Sequence, residues 1–440
     1  MKKKIVSIIL SVTMCFGGSL FINDKFMNAD EINETQAVLS ENEDISLNKE
    51  KVDADVNVSI NTIEIPQRIK DYIQEEAPVF VQSLIDEQDF YGIKIDNPDL
   101  VKIGEPIIVY RDDDKEVDEE PICFVPIFEG DKVIQSLVVV GDLFSDDGEL
   151  GMQTSPDLVD EYNYLSSINN LSEDCYLIAK DENLYAISAN EDINLTSPWD
   201  ISKLTLTNNK NERCNIINSI KDKFNVEQIK IDLNKKFEQC SDMVFKNEEI
   251  IQNKKNTSIT SVPEKKVLFT EKDGYGVIMQ VDGQCWAAAV ATVVNYKKKT
   301  NKYGLSDVYG FFNGNGLVYD YGDESDIIPA LKEFGLYNYH EKGVTNSNFE
   351  TIKNYCKKSV SMTYPVLVKV VPKDYDHNIA MHIINYIGYD KGTSKAYIYD
   401  PKPVNGKGVY KTVSDNSQNY YSEGYKFNTS WSRIYYGDNH

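Results

Sequence analysis

The run of twelve residues from Cys285 to Tyr296 constrains the fold of this chain more than any other stretch. It contains no Gly and no Pro, and after the opening cysteine its only polar side chains short of Tyr296 are Thr292 and Asn295. A helix that is apolar on nearly every side has no face to offer water, so the run predicts a helix buried inside a larger body. Asp282 and Gly283, just ahead of it, supply a turn and a cap. The helix therefore begins at Cys285. A thiol in a first helical turn lies in the positive field of the helix dipole, beside N–H groups that no intrahelical bond satisfies. Both favour the thiolate, which is the nucleophilic form. An isolated buried cysteine is nonetheless more often a packed thiol than a nucleophile, so the chemistry depends on partners.

The choice of base is small, because the chain has four histidines: His340, His377, His382 and His440. His382 opens a β-branched and aromatic stretch that runs to Asp390. The turn residues 391–394 follow, and then a second strand-like stretch from Lys395 to Pro401. Two such stretches with a short, turn-rich connection read as a hairpin. The start of the first strand then meets the end of the second, so His382 and Asp400 are expected to be neighbours. To act together they must share a face of the sheet. The other histidines are weaker candidates: His340 lies in a short aromatic stretch, His377 in a polar loop, and His440 at the terminus.

These residues resemble papain-like cysteine peptidases, most nearly the secreted bacterial ones of the staphopain and peptidase C39-like type. The resemblance is carried by Gln280, by Gln284-Cys285-Trp286-Ala287-Ala288, by Ala380-Met381-His382 and by Tyr399-Asp400-Pro401, in the family's order, and it covers about residues 265–440. Gln280 stands one residue closer to the cysteine than is usual in the family, and Asp400 takes the third place, where papain has Asn. The resemblance implies that Cys285 attacks a peptide carbonyl, His382 carries the proton, and Asp400 orients the imidazole. Gln280 and the Cys285 N–H would hold the oxyanion, with Gln284 as the alternative glutamine. No metal or organic cofactor is implied.

The implied fold is α+β. A two-lobe catalytic domain at 267–440 combines a helical lobe (the Cys285 helix, 323–334 and 348–358) with an antiparallel sheet lobe. Ahead of it the chain divides by composition. Met1-Lys2-Lys3-Lys4 and the apolar run from Ile5 to Ile22 read as a secretory signal, with cleavage expected after Ala29. Residues 30–60 are polar and expected to be disordered. Residues 61–245 read as an acidic α+β, mostly antiparallel domain, with a helix over Ile69 to Asp86 followed by short strands. Residues 246–266 are a polar, lysine-bearing linker, the kind of segment proteases cut.

Charge marks the same division. Positions 1–270 carry a net −25 and positions 271–440 a net +1, within −24 for the whole chain. Of 28 tyrosines, 21 lie after position 270. No basic stripe exists to follow phosphates, which argues against a nucleic-acid partner. The acidic run from Arg111 to Glu120 lacks the ordered spacing of a calcium loop and reads as a solvated hairpin tip. Outside Cys15, the cysteines (Cys123, Cys175, Cys214, Cys240, Cys285 and Cys356) are widely spaced, so neither zinc nor a disulfide framework is indicated. No run after the leader is long and apolar enough to span a membrane.

The expectation is therefore a secreted cysteine endopeptidase made as a zymogen. Its partners would be a peptide or protein substrate and its own propeptide, acting as an intramolecular inhibitor. Two rival readings remain: a thiol amidase acting on cell-wall peptides, and a catalytically inactive binding protein on the same scaffold.

Overall fold

The computed structural model describes residues 59–112, 121–145, 148–167, 175–180, 183–196, 206–207, 209–224, 228–232, 263–280, 283–314, 324–372, 382–404, 406–422 and 427–438. The leader with Cys15 and Ala29, most of the polar segment, residues 113–120, Cys240, most of the linker, Asp282, His377 and His440 lie outside them.

In chain order the first half runs β1 (Ser59–Ile63), α1 (Gln67–Asp86), α2 (Gln88–Tyr91), β2 (Val101–Ile103), β3 (Ile107–Arg111), β4 (Ile122–Glu129), β5 (Lys132–Gly141) and β6 (Leu150–Ser155). It continues with α3 (Val159–Leu165), β7 (Tyr176–Lys180), β8 (Asn183–Ile187), β9 (Asp192–Asn194), α4 (Lys210–Phe224) and β10 (Gln228–Asp232). The second half begins with β11 (Lys265–Val267), α5 (Cys285–Lys298), α6 (Leu305–Gly314), α7 (Ile327–Glu333), β12 (Tyr339–Gly343) and α8 (Phe349–Ser361). It ends with β13 (Val366–Pro372), β14 (His382–Asp390), β15 (Lys395–Val404), β16 (Lys407–Ser414), β17 (Asn419–Ser422) and β18 (Phe427–Gly437). The class is mixed α and β, with a large, mostly antiparallel sheet.

That sheet has sixteen strands, and its main path runs β12-β18-β13-β14-β15-β16-β6-β5-β4-β3-β7-β8-β9. Among the described strands of this sheet, β3 and β7 are the pair that runs parallel. β11 joins β14 beyond the end of its pairing with β13, so Lys265 and Lys266, expected in the linker, are part of this sheet. Likewise Ser59 and Ile60, expected in the polar segment, begin β1, which pairs with β10. Ile60 is fully buried, which a solvated segment would not allow.

Strand alternation divides the second half into two layers of core. Leu367, Ile383 and Tyr435 face the buried helix α5, whose residues Cys285 to Tyr296 are all buried. Val366, Val368, Val370, Ile384 and Ile434 face the other way, onto α8. The 348–358 segment was expected in a helical lobe with the Cys285 helix. It packs on the opposite face of the sheet instead, because Phe349, Ile352, Cys356 and Val360 form a stripe at helical spacing that the sheet covers. Helices α6 and α7 do pack with α5: Val308, Ile327, Ala330 and Leu331 share its core.

The two halves are joined through β16 and β6, at Val413 opposite Gln153. They also share one apolar core, in which Phe80, Phe90, Val125 and Leu137 meet Phe269, Tyr397, Tyr399 and Tyr410. All described residues fall within one compact unit, Asp55–His440. No helix among the described residues is long and apolar enough to cross a membrane.

Candidate active site

Cys285 is the first residue of α5. Gly283 takes φ 84°, a left-handed conformation that suits glycine, and this lets the chain turn into the helix. The first helical bond runs from the Ala288 N–H to the Gln284 carbonyl, at 3.1 Å. The N–H groups of the first turn are thus left to other partners, as at any helix start. Cys285 is buried, at 3% exposure.

The base comes from the hairpin β14–β15. Asn385 pairs with Tyr399 and Tyr386 with Ile398. The pairing ends at Asn385 and Tyr399, so the start of β14 lies beside the stretch of β15 where Asp400 follows. The contact is direct, with His382 Nε2 to Asp400 Oδ1 at 2.6 Å. His382 also hydrogen-bonds the Cys285 side chain. Cysteine, histidine and aspartate are therefore brought together in that order.

Electrostatics at the site follow from burial and pairing. Burial pushes the His382 imidazolium towards losing its proton. The Asp400 carboxylate, by charge and by hydrogen bond, outweighs this with help from Cys285 and raises the imidazole to about 10. Asp400 is fully buried, and burial alone would make it harder to ionise. His382, then Lys411, then the Tyr420 hydroxyl more than compensate, and they hold it well below the usual carboxylate range. Tyr309 is raised to about 12, first by burial and then by Cys285, and its ring meets Trp286 edge-on at 5.7 Å.

The loop that leads into α5 is anchored beside the triad. The Met279 N–H donates to the Pro401 carbonyl at 2.9 Å, next to Asp400. Gln280 follows and is exposed, and its N–H donates to Gln284 Oε1 at 3.2 Å. Gln284 thus ties the loop down through its carbonyl oxygen, while Gln280 presents its side chain at the surface. His340 lies elsewhere, with Nε2 at 3.4 Å from Asp438.

Four residues at the site were missed in the sequence. Asn385 Nδ2 donates to the Ala289 carbonyl at 3.0 Å and pins α5 to the strand that bears His382. Thr292 Oγ1 accepts the Val277 N–H at 2.9 Å and holds the loop to the same helix. Tyr420 donates to Asp400 Oδ2 at 2.6 Å, and Lys411 Nζ lies 3.6 Å from the same oxygen. Lys411 could have been found, since alternation puts it on the face of Val409 and Val413, where a lysine must be buried. Among the described residues no cluster of three or more His, Cys, Asp or Glu side chains could hold a metal.

No protein-family model matches the chain, and no curated protein matches it.

Proposed function

We propose that this chain is a secreted cysteine endopeptidase of papain-like type, made as a zymogen. The observation that carries the reading is the Cys285–His382–Asp400 row, with the cysteine at the start of a buried helix and 2.6 Å between imidazole and carboxylate. Cys285 attacks the peptide carbonyl as thiolate, forming a carbon–sulfur bond. His382 gives its proton to the departing amine as the C–N bond breaks. Water then cleaves the thioester, with His382 as base, and the thiol is restored. Asp400 keeps the ring aligned throughout. The Cys285 N–H and the Gln280 side-chain amide serve the oxyanion. A helical lobe of α5, α6 and α7 against the sheet of β13–β16 and β18 supports the two-lobe arrangement.

Secretion is supported by the lysine-led apolar leader, and the zymogen by the contrast between the halves. The first half carries none of the four histidines, so it serves as propeptide and intramolecular inhibitor. Processing falls in the part of the lysine-bearing segment 246–266 that precedes β11.

The test is labelling by an epoxide inhibitor of thiol peptidases, together with hydrolysis of casein and of purified peptidoglycan. Labelling with casein hydrolysis, both lost in Cys285→Ala, is the expected result. Release from peptidoglycan alone would make the protein a wall amidase. Neither labelling nor hydrolysis, before or after processing, would make it a binding protein.

A further inference from the structure

Asp400 is fully buried and carries two oxygens in separate environments. Oδ1 accepts from His382 Nε2 at 2.6 Å and from the Lys402 backbone N–H at 2.9 Å. Oδ2 accepts from the Tyr420 hydroxyl at 2.6 Å and faces Lys411 Nζ at 3.6 Å. Lys411 is itself fully buried. Its ammonium donates to the Tyr421 carbonyl at 3.1 Å and lies 4.3 Å from the centre of the Tyr420 ring.

We propose that Lys411 and Tyr420 are positioning residues of the candidate active site: together they hold one oxygen of Asp400 so that the other stays aimed at His382, and Lys411 balances the charge of the catalytic row. The inference rests on the triad reading and deepens it.

The argument is geometric first. Lys411 pairs with Ile398 across β15–β16, so it is diagonal to Asp400 on the side away from His382. One strand, β15, thus carries the carboxylate, and each of the two strands that flank it brings one cation to it, His382 from β14 and Lys411 from β16. Tyr420 reaches the same oxygen from β17. A carboxylate gripped at both oxygens cannot rotate about its Cβ–Cγ bond, which fixes the line of the bond to the imidazole.

Charge gives the second argument. A thiolate, an imidazolium and a carboxylate together leave one uncompensated negative charge in a site that is largely buried, which is costly. Adding the Lys411 ammonium brings the four groups to zero. The groups facing Asp400 from the packed strands are His382 from β14, Lys411 from β16 and Tyr420 from β17, with Tyr399 beside it on its own strand.

The rival explanation is that this is an ordinary buried ion pair that only stabilises the sheet. Lys357, half-buried, and Asp415, buried, are paired elsewhere in the second half and provide the control. The experiment uses the full secreted chain and its processed form, with Lys411→Met, Tyr420→Phe and Lys357→Met. The readouts are the pH dependence of Cys285 alkylation by iodoacetamide, which needs no peptidase activity, and the separate kcat and KM on casein-derived peptide. Removing a nearby cation disfavours the thiolate and favours the imidazolium. Both limbs of the alkylation profile should therefore move to higher pH in Lys411→Met. Tyr420→Phe should lower kcat roughly tenfold with KM little changed, the size expected for one hydrogen bond to a charged group. Lys357→Met should lose stability with the profile unmoved.

Wild-type alkylation limbs and wild-type kcat in folded Lys411→Met and Tyr420→Phe would overturn the positioning role while leaving the triad intact. If Lys411→Met does not fold, Tyr420→Phe decides, since it removes a single oxygen. Cys285 alkylating no faster than a free cysteine in the wild type would overturn the triad reading and this inference with it.

Discussion

At the scale of the residue, the candidate site is one imidazole held between a thiol and a buried carboxylate. Cys285→Ala should reduce hydrolysis by more than about a thousandfold and leave the unfolding midpoint close to wild type, because in the proposed mechanism its sulfur forms the bond to the substrate. Asp400→Ala should cost less than His382→Ala, since the orienter moves no proton; kcat/KM of the purified, folded variants checks this. The charge state of His382 gives a pH prediction. Its imidazole is raised from 6.5 to about 10, with burial opposing and Asp400 and Cys285 prevailing. A group raised on folding stabilises fully below its unfolded value and loses that contribution as pH rises through the folded one. The imidazolium–Asp400 pair should thus be at full strength at pH 6 and fade towards pH 10. Histidine NMR should find His382 still protonated at pH 8, and an imidazole that titrates near 6.5 would contradict the pairing. These residues were legible in the sequence because a nucleophile at a helix start and a histidine at a hairpin end are local patterns. Alternation marks Lys411 as buried, but its pairing with Asp400, and Tyr420 altogether, were not legible, because Asp400 is met only when three strands are laid side by side.

At the scale of the element, the geometry depends on how helix α5 is fixed to the sheet. Its all-round burial was legible from the absence of any polar face. Its partner face was not, and α8 was expected beside it until the sheet came between them. The fixings are polar and specific: Asn385 to the Ala289 carbonyl, Thr292 to the Val277 N–H, and Met279 to the Pro401 carbonyl. Asn385→Ala removes a buried donor and leaves the Ala289 carbonyl with one partner fewer. It should cost about 1–3 kcal/mol of stability in denaturant unfolding and also lower kcat, because the helix that carries Cys285 is freed to shift against His382. The loop and β16 close in on Tyr399 from either side. A Cβ at Gly276 would stand 2.7 Å from that ring, and one at Gly408 2.3 Å from its hydroxyl. Tyr399 precedes Asp400 in the chain, so Gly276→Ala should disturb the triad as well as the packing. The expected signature is a kcat loss at temperatures where circular dichroism still reports a folded protein.

At the scale of the molecule, the charge and tyrosine shifts suggested two separable halves, yet β6 of the first half pairs with β16 of the second. The grip is broad. Gln153 exchanges hydrogen bonds with the Tyr421 backbone at 2.8 and 3.0 Å, and the Tyr421 hydroxyl donates to Asp157 at 2.7 Å. Phe90 stacks edge-on against Tyr397 and Tyr410 at 5.0 and 5.7 Å. A cut in 246–266 alone should therefore leave the halves associated, and gel filtration of the nicked protein should return one peak containing both fragments. On the propeptide reading, release needs a further push, and Lys395 on β15 would supply a pH-dependent one. Its ammonium donates to the Val79 carbonyl of α1 and lies 5.0 Å from the Phe80 ring centre, so docking of the first half is what buries it. Burial lowers it from 10.5 to about 7, opposed by Asp390, Glu76 and Asp86 and assisted by Lys265. For a cation depressed on docking, the separated state binds more protons, so the docked state gains stability as pH rises from about 7 towards 10.5. The nicked pair should separate at lower urea at pH 7 than at pH 9, and Lys395→Met should weaken that dependence and tighten the pair at pH 7. A urea midpoint that changes with pH equally in wild type and Lys395→Met would show that other groups set the pH response of docking.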